Sequence, residues 1–184
     1  MKKKFNPRIK ARLRKNRQVL NKNIDNFFGW VKGAKLVELK ECNPEEDPVR
    51  PELDNKFRTG YGRKIFGVEY QGEIYAVMCF AYTNAIPKSV EELEKLSTDA
   101  FLQTAMRDQS GGQIAIAYTV WSKKKGGGKL IVKEVFKKIK KSNHLNRLVT
   151  LSPLTEMATN FHERNGAKLI QINETTQNFE YKVM

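Results

Sequence analysis

The sequence predicts an α/β fold, in which strands alternate with helices and one pair of strands forms an antiparallel hairpin. Two observations support this prediction. The apolar, β-branched stretch Ile114–Ser122 precedes three glycines and a helical stripe of apolar residues, so a buried strand leads through a turn into an amphipathic helix. Earlier in the chain, Lys64–Tyr70 and residues 73–82 flank Gln71 and Gly72, a pattern typical of an antiparallel hairpin.

Length and composition indicate one domain with an appendage. The chain has 184 residues, 40% of them hydrophobic, which suits one core over residues 31–184 behind a basic tail or helix at 1–30. No apolar run approaches the length of a membrane span, and the N-terminus lacks the apolar segment of a secretory signal. We therefore expect a cytoplasmic protein with no membrane partner. Two cysteines and two histidines predict neither a disulfide framework nor a metal site.

The net charge of +14 is concentrated at the N-terminus. Residues 2–22 hold ten Lys and Arg and no acidic residue, with apolar residues at roughly helical spacing. Such a segment attracts polyanions, so one interpretation is an anchor for nucleic acid, a ribosomal component or another polyanionic partner. The other interpretation is a solvated basic helix face. The sequence alone leaves both open.

The N-terminal half then predicts a strand, a loop, the hairpin and an insertion. Residues 34–40 alternate like a strand, and residues 41–63 combine prolines and acidic residues in a long loop or short helical turns. That acidic loop either binds a cationic amine or is a solvated loop without a binding role. In the insertion at 83–112, Ser89 and Glu92 form a capping-box pattern that opens a short helix to Leu96. A second helix is predicted at 99–107.

The C-terminal part alternates between strand and helix. Residues 145–151 predict a parallel strand that ends at Ser152 and Pro153. A helix at 155–165 begins at Thr155 and stops at Gly166. Residues 167–172 and 178–183 predict a final hairpin. No internal repeat is present.

The turn at 123–129 has the composition of a phosphate-binding loop. The first N–H groups of the following helix have no intrahelical acceptor and carry partial positive charge, and glycine allows close approach to the backbone. A flexible glycine linker is the alternative. Leu130 stands where a Walker loop needs Ser or Thr, and Ile131 where a dinucleotide fingerprint needs glycine.

Two motifs in this half resemble the GNAT superfamily of acyl-CoA-dependent N-acyltransferases. The spacing Lys123-x-x-Gly126-x-Gly128, followed by apolar residues, is similar to that family's pyrophosphate loop, although Lys123 replaces the usual Arg or Gln. The run from Ala158 through Phe161 to Gly166 is similar to a second family motif. Together with the order of strands and helices, the resemblance covers about residues 64–183.

The resemblance implies a three-layer α+β fold with a mixed, mostly antiparallel sheet and helices on both faces. In that fold the parallel fourth and fifth strands splay apart, and the cofactor is acetyl-CoA or another acyl-CoA. It implies that pantetheine runs along Tyr118, Thr119 and Val120, and that the Val120 N–H polarises the thioester carbonyl. The phosphates are expected on the backbone of the glycine loop. The loop residues concerned are Lys123, Lys124, Lys125, Gly126, Gly127, Gly128 and Lys129.

For catalysis, His162 stands where the family usually has a proton-donating Tyr. Imidazole titrates near neutral pH, so His162 is the candidate general acid, with Tyr118 as a second candidate donor or a wall of the acyl pocket. The alternative is a half-buried histidine without a catalytic role. No general base stands out. The function predicted is N-acyl transfer to an amine of unknown identity, and the alternative is a nucleic-acid- or ribosome-associated protein that uses the tail and the Lys-Gly loop.

Overall fold

The computed structural model describes residues 12, 14–17, 29–107 and 112–181, with residues 105–107 described by backbone alone. The chain divides into two units, Met1–Ala34 and Lys35–Met184. In the first unit the described residues are helical and mostly exposed. Most of the predicted basic tail, residues 2–22, lies outside the described residues. No helix in the described part has the length and apolar character needed to span a membrane.

The second unit is built on an eight-stranded sheet. Its strands run in the order β1-β2-β3-β4-β5-β8-β6, and β7 pairs with β8. Among these pairs β4 with β5 is parallel and the others are antiparallel, as predicted. The strands are β1 Lys35–Leu39, β2 Lys64–Tyr70, β3 Glu73–Thr83, β4 Ile114–Ser122, β5 Arg147–Thr150, β6 Ser152–Pro153, β7 Ala167–Ile172 and β8 Thr176–Tyr181.

Helices cover both faces of the sheet. The helices are α1 Asn55–Thr59, α2 Val90–Arg107, α3 Gly127–Lys140 and α4 Glu156–Arg164, with 3₁₀ turns at Pro44–Glu46 and Gly60–Gly62. Because side chains alternate along a strand, Ile65 of β2 shares a core cluster with Leu93 of α2, whereas the neighbouring Phe66 lies under Lys138 of α3. The hairpin turn is confirmed, with Gln71 and Gly72 both at positive φ.

The predicted amphipathic helix is α3, and its apolar stripe explains its position. Ile131, Val135 and Ile139 are almost fully buried. Burial of such side chains contributes roughly 1.5–3 kcal/mol each relative to exposure. The opposite face and the last turn carry lysines, which suit both solvent and the negative end of the helix dipole. The helix is therefore fixed along the sheet with its N-terminus directly after β4.

The insertion differs from the prediction. Two short helices were expected at 90–96 and 99–107, but the structure has one continuous helix, α2. Ser97 does not interrupt it, because the Ser97 hydroxyl donates to the carbonyl of Glu94 at 3.1 Å and accepts a hydrogen bond from Arg63 Nη1 at 2.9 Å. The helix start is as expected, since the amide of Glu92 donates to Ser89 Oγ.

Candidate active site

Strands β4 and β5 part halfway along β4. Their parallel register runs from Ile114 opposite Arg147 to Ala117 opposite Thr150, and Leu151 N donates to the Ala117 carbonyl at 2.9 Å. Beyond this point the chain turns into β6, which pairs with β8 instead. A cavity of about 390 Å³ lies at this divergence. The predicted splay is therefore present, and the second half of β4 has an edge that β5 does not cover.

Tyr118 is the extra residue of a β-bulge at the same position. The register between β3 and β4 steps from Phe80 opposite Ala117 to Cys79 opposite Thr119, which leaves Tyr118 unpaired in the register. Its side chain is 1% exposed and meets the Phe57 ring edge-on at 5.8 Å. Burial raises the pKa of the Tyr118 phenol far above its ordinary value. The phenol therefore keeps its proton at any physiological pH.

Arg50 bridges the two strands where they separate. Its Nε donates to the Tyr118 carbonyl at 2.9 Å, and its Nη2 donates to the Leu151 carbonyl at 3.1 Å. The Arg50 residue is 8% exposed, and its own amide donates to Asp47 Oδ1. A single guanidinium thus satisfies two carbonyls that a continuous ladder would have paired. Sequence reasoning missed Arg50, because one arginine in a Pro-rich loop gives no pattern.

Asp47 joins the loop before α1 to the middle of β4. Its carboxylate accepts the Thr119 hydroxyl at 2.7 and 2.8 Å and pairs with Arg58 at 2.9 Å, and both charged side chains are fully buried. Nearby, Glu46 pairs with Lys123 at the surface at 2.7 Å. These two acidic residues of the loop are therefore neutralised within the chain. The Thr119 side chain is turned toward Asp47, and the predicted contact of Thr119 with the cofactor is one of its backbone.

The glycine loop leads from β4 into α3 as predicted. Gly126 takes a left-handed conformation with φ of 87° and occupies the N-cap position, and Gly127 N donates to the Lys124 carbonyl at 2.9 Å. Gly128 and Lys129 lie in the first turn, where the amides have no acceptor inside the helix. The side chains of Lys124, Lys125 and Lys129 are exposed around them. The loop thus combines free amides, the positive end of a helix and full positive charges.

Two of the glycines are required by packing within the protein. A Cβ on Gly128 would lie 3.0 Å from the Phe161 ring, and a Cβ on Gly127 would lie 3.1 Å from the Tyr75 carbonyl and from Ser122 Cβ. The start of α3 therefore lies directly against α4 and against the end of the antiparallel β3–β4 pair. The sequence explained these glycines by space for a phosphate. In the structure the space beside Gly128 is filled by Phe161.

His162 lies in the cavity on the inner side of α4. It is 5% exposed, stacks on the Phe179 ring with centroids 5.0 Å apart, and lies between two hydroxyl groups. Its Nε2 is 2.7 Å from Ser152 Oγ, and its Nδ1 is 2.9 Å from the Tyr181 hydroxyl. The Ser152 hydroxyl continues to Thr150 Oγ1 at 3.0 Å. A buried chain of four polar side chains therefore crosses the point of divergence.

The four hydrogen-bonded side chains carry no net charge at neutral pH. Burial lowers the pKa of His162 to about 4, so the ring carries one proton at neutral pH. A neutral imidazole has one N–H and one lone pair, so one hydroxyl neighbour donates to the ring and the other accepts from it. Burial also raises the pKa of the Tyr181 phenol. The arrangement can relay a proton between Ser152 and His162 without creating a persistent charge.

Some of the predicted site residues line the cavity, and others lie at its end. Tyr118, Thr119, Val120, Gly128 and His162 line it, whereas the remaining loop residues lie beside it at the start of α3. None of the described residues that line the cavity is Asp, Glu, Lys or Arg. Within the described residues, the Trp121 Nε1 donor in its wall is buried without a hydrogen-bond partner. The site is apolar, with a few hydroxyls and one imidazole.

Sequence reasoning missed the partners of His162. Ser152 was interpreted as the end of a strand, and Tyr181 as one residue of the last hairpin. Both reach the histidine through tertiary contacts, across 10 and 19 positions of the chain. The Ser152-Pro153 step after an apolar strand was the one local signal, because a hydroxyl at the end of a central strand is exposed to the split between strands.

No protein-family model matches the chain, and no curated protein matches it. Solved structures do match its fold. The GNAT-like decarboxylase GphF in complex with isobutyryl-CoA superposes with a TM-score of 0.62 at 10% identity, over 80% of this chain and 98% of that one. A Bacillus subtilis acetyltransferase in complex with CoA gives 0.55 at 12% identity, over 82% and 99%. The GNAT domain of S. lividans PAT gives 0.51 at 9% identity, over 82% and 90%. The chain therefore has the GNAT fold.

Proposed function

We propose that this protein is an acyl-CoA-dependent N-acyltransferase that moves an acyl group, most simply acetyl, onto an amine. One observation carries the proposal. The uncovered edge of β4, the amides at the start of α3 and the Ser152–His162 pair adjoin one apolar cavity. This combination supports a long thioester substrate, with its phosphates at one end and its reacting carbonyl beside proton-carrying groups.

Acyl-CoA fits the residues present. The backbone of 124–129 would hold the pyrophosphate, and the exposed lysines there would balance its charge. The uncovered backbone at 118–120 would pair with pantetheine, and the Val120 N–H is our candidate for polarising the carbonyl. When bound, the thioester supplies the activated acyl group.

We assign proton transfer to Ser152 and His162 acting together. At neutral pH the imidazole of His162 is neutral, since burial lowers its pKa to about 4. The acid role predicted for His162 therefore becomes a relay. As the C–N bond forms and the C–S bond breaks, the pair gives one hydroxyl or N–H proton to the leaving sulfur and takes up the proton that the attacking amine loses. Tyr118 is better suited as a wall, because its phenol lies in the core against Phe57. None of the described residues that line the cavity carries a carboxylate, and an imidazole with a pKa of about 4 does not deprotonate an ammonium ion, so the amine must arrive neutral.

Decarboxylation of a β-carboxyacyl-CoA is a second candidate. The GphF structure, whose name describes a GNAT-like decarboxylase, matches over 98% of its length. Loss of CO₂ from such a thioester needs a polarised carbonyl and a proton donor for the α-carbon, and it needs no general base for an amine. The cavity offers a polar pair and lacks a carboxylate, which also fits this reaction.

One experiment separates the two candidates. The protein is incubated with acetyl-CoA and a mixture of amines that includes polyamines, free amino acids and peptides with free N-termini, and released thiol is followed with a chromogenic disulfide. A parallel reaction contains malonyl-CoA without amine, and its products are identified by mass spectrometry. N-acyltransferase activity predicts amine-dependent thiol release and acylated amine. Conversion of malonyl-CoA to acetyl-CoA without amine would instead establish the decarboxylase. If neither product forms although the cofactor is fully bound, both candidate functions are contradicted.

A further inference from the structure

A second, larger cavity of about 830 Å³ lies at the opposite ends of β4 and β5. Gly112 precedes β4, Leu145 precedes β5 and Lys141 follows α3, and all three line it. Among the described residues, none lines both this cavity and the active-site cavity. The predicted chemistry of acyl transfer makes no use of it.

One wall of this cavity presents an aromatic pair. Tyr61 and Phe101 are 49% and 44% exposed, and their rings meet at an angle of 75° with centroids 6.2 Å apart. Tyr61 has φ of 49° and ψ of 46°, the left-handed conformation that a bulky side chain rarely adopts. Gly60 and Gly62 flank it. The left-handed position is therefore occupied by an aromatic residue, although glycine, which adopts this conformation easily, stands on either side. Strain of this kind concentrates at binding sites.

Another part of the lining is basic. Lys137, Lys138 and Lys141 line the cavity from the last turn of α3 and the position after it. Glu134 is the one acidic residue among the described lining residues, and its carboxylate is paired with Lys137 at 2.7 Å. Three lysines against one glutamate leave the described lining of this cavity with a net positive charge. Ser142 and His144 add hydrogen-bonding groups at the rim.

We propose that this cavity binds single-stranded nucleic acid. Exposed aromatic rings beside a basic groove are the two elements of sequence-tolerant single-strand binding, where bases stack on the rings and phosphates lie along the charges. A base would stack at Tyr61 and Phe101, and the backbone would follow Lys137, Lys138 and Lys141. An acidic peptide would use the lysines equally well, but it gives no reason to expose two rings and to keep one of them on a strained backbone.

The test uses the full-length protein and a fluorescein-labelled ten-residue oligouridylate, followed by anisotropy at several salt concentrations. Tyr61→Gly removes the ring and also relieves the backbone strain, so this variant should fold. We expect its affinity for the oligonucleotide to fall between about 5-fold and 150-fold, the range found when one stacking aromatic is removed. Tyr61→Phe keeps a ring and should bind within about twofold of the parent protein.

The charge arm compares two triple variants with the same net charge. Lys137→Gln/Lys138→Gln/Lys141→Gln should reduce the steepness of the salt dependence by about 2 logarithmic units per decade. The control Lys56→Gln/Lys95→Gln/Lys168→Gln removes three exposed lysines elsewhere and should change it far less. All variants should keep the parent affinity for CoA, because none of these residues adjoins the active-site cavity.

Three results would overturn the proposal. Equal weakening by both triple variants would mean diffuse attraction to a protein of charge +14. Unchanged binding by Tyr61→Gly and the first triple variant would assign the affinity elsewhere, and loss of binding on deleting residues 2–22 would then place it in the basic tail. Binding of a polyglutamate peptide with the same dependence on Tyr61 would identify the cavity as a peptide site.

Discussion

Ser152 Oγ and His162 Nε2 lie 2.7 Å apart in the cavity at the divergence of β4 and β5. Ser152 comes from β6 and His162 from α4, and both are about 5% exposed. Their contact places a hydroxyl and a neutral imidazole at the place where the sheet leaves backbone groups uncovered. This contact is the basis of the catalytic assignment.

We expect Ser152→Ala and His162→Phe each to lower kcat by about 100-fold to 10,000-fold while the Kd for acyl-CoA changes little. Proton transfer to the leaving group occurs in the transition state, whereas phosphate and backbone contacts act in the ground state. The double variant should lose little more than the worse single variant, because residues that act as a unit are not additive. Steady-state thiol release and calorimetric CoA binding measure the two quantities.

His162→Tyr provides the matched comparison. A phenol at the same place on α4 can still carry a proton, so this variant should keep more activity than His162→Phe. Turnover of His162→Phe within about threefold of the parent protein would show that the histidine only packs against Phe179 and Tyr181.

The buried histidine should make folding stability depend on pH. Burial lowers the pKa of His162 from 6.5 to about 4, so between these values the unfolded chain binds a proton that the native state does not. The contribution of His162 to the free energy of unfolding should therefore be fully present above about pH 6.5. It should be lost as the pH falls toward 4, and the loss should amount to about 3 kcal/mol. Urea denaturation of the parent protein and of His162→Gln at pH 7 and pH 5 measures the part of this loss that falls between those two pH values, about 2 kcal/mol.

His144 supplies the control for that experiment, since it is exposed and lies far from the α4 site in the sequence. His144→Gln should retain the pH dependence of the parent protein, and His162→Gln should show a smaller loss of stability from pH 7 to pH 5. The same loss in both variants would place the pH dependence in other groups.

Arg50 should stabilise the point at which β4 and β5 separate. Replacing it by Met removes the donors to the Tyr118 and Leu151 carbonyls, and we expect a loss of about 1–3 kcal/mol in the free energy of unfolding for each acceptor left without water. Arg50→Lys keeps the charge but has no fork that reaches both carbonyls, so it should recover part of that stability. Wild-type stability of Arg50→Met in urea denaturation would show that water replaces the guanidinium.

The contact between Gly128 and Phe161 separates two roles of the glycine loop. Gly128→Ala should destabilise the protein, because the added Cβ would lie 3.0 Å from the Phe161 ring. Phe161→Leu in the same chain should restore part of the stability, and the pair should show a coupling energy in a double-mutant cycle. Additive effects of the two substitutions, measured by urea denaturation, would mean that the contact with Phe161 does not determine how well alanine is tolerated at position 128.

The sequence predicted the elements of this fold better than the contacts of the site. The limits of β2 and β4 follow from their apolar residues and from the glycines that end them, since both signals are local. The residues Ser152, Tyr181 and Arg50 gave no comparable signal. Each acts through a partner that is distant in the chain, and the meeting of β6, α4 and β8 is decided by the packing of the whole sheet. The glycine loop lies between these cases, because its conformation was predicted but the packing of Gly128 against Phe161 was not.

The central claim is that acyl-CoA binds along the uncovered edge of β4 with its phosphates at the start of α3. The most direct measurement is the thermal unfolding of the full-length protein with CoA, acetyl-CoA, ATP or NAD, each at about 100 times the Kd found for CoA. We expect CoA and acetyl-CoA to stabilise the protein by about 2.7 kcal/mol, and ATP and NAD to stabilise it much less. The variant Lys124→Glu/Lys125→Glu/Lys129→Glu should lose this gain. Equal stabilisation by ATP, or none by CoA, would contradict the central claim.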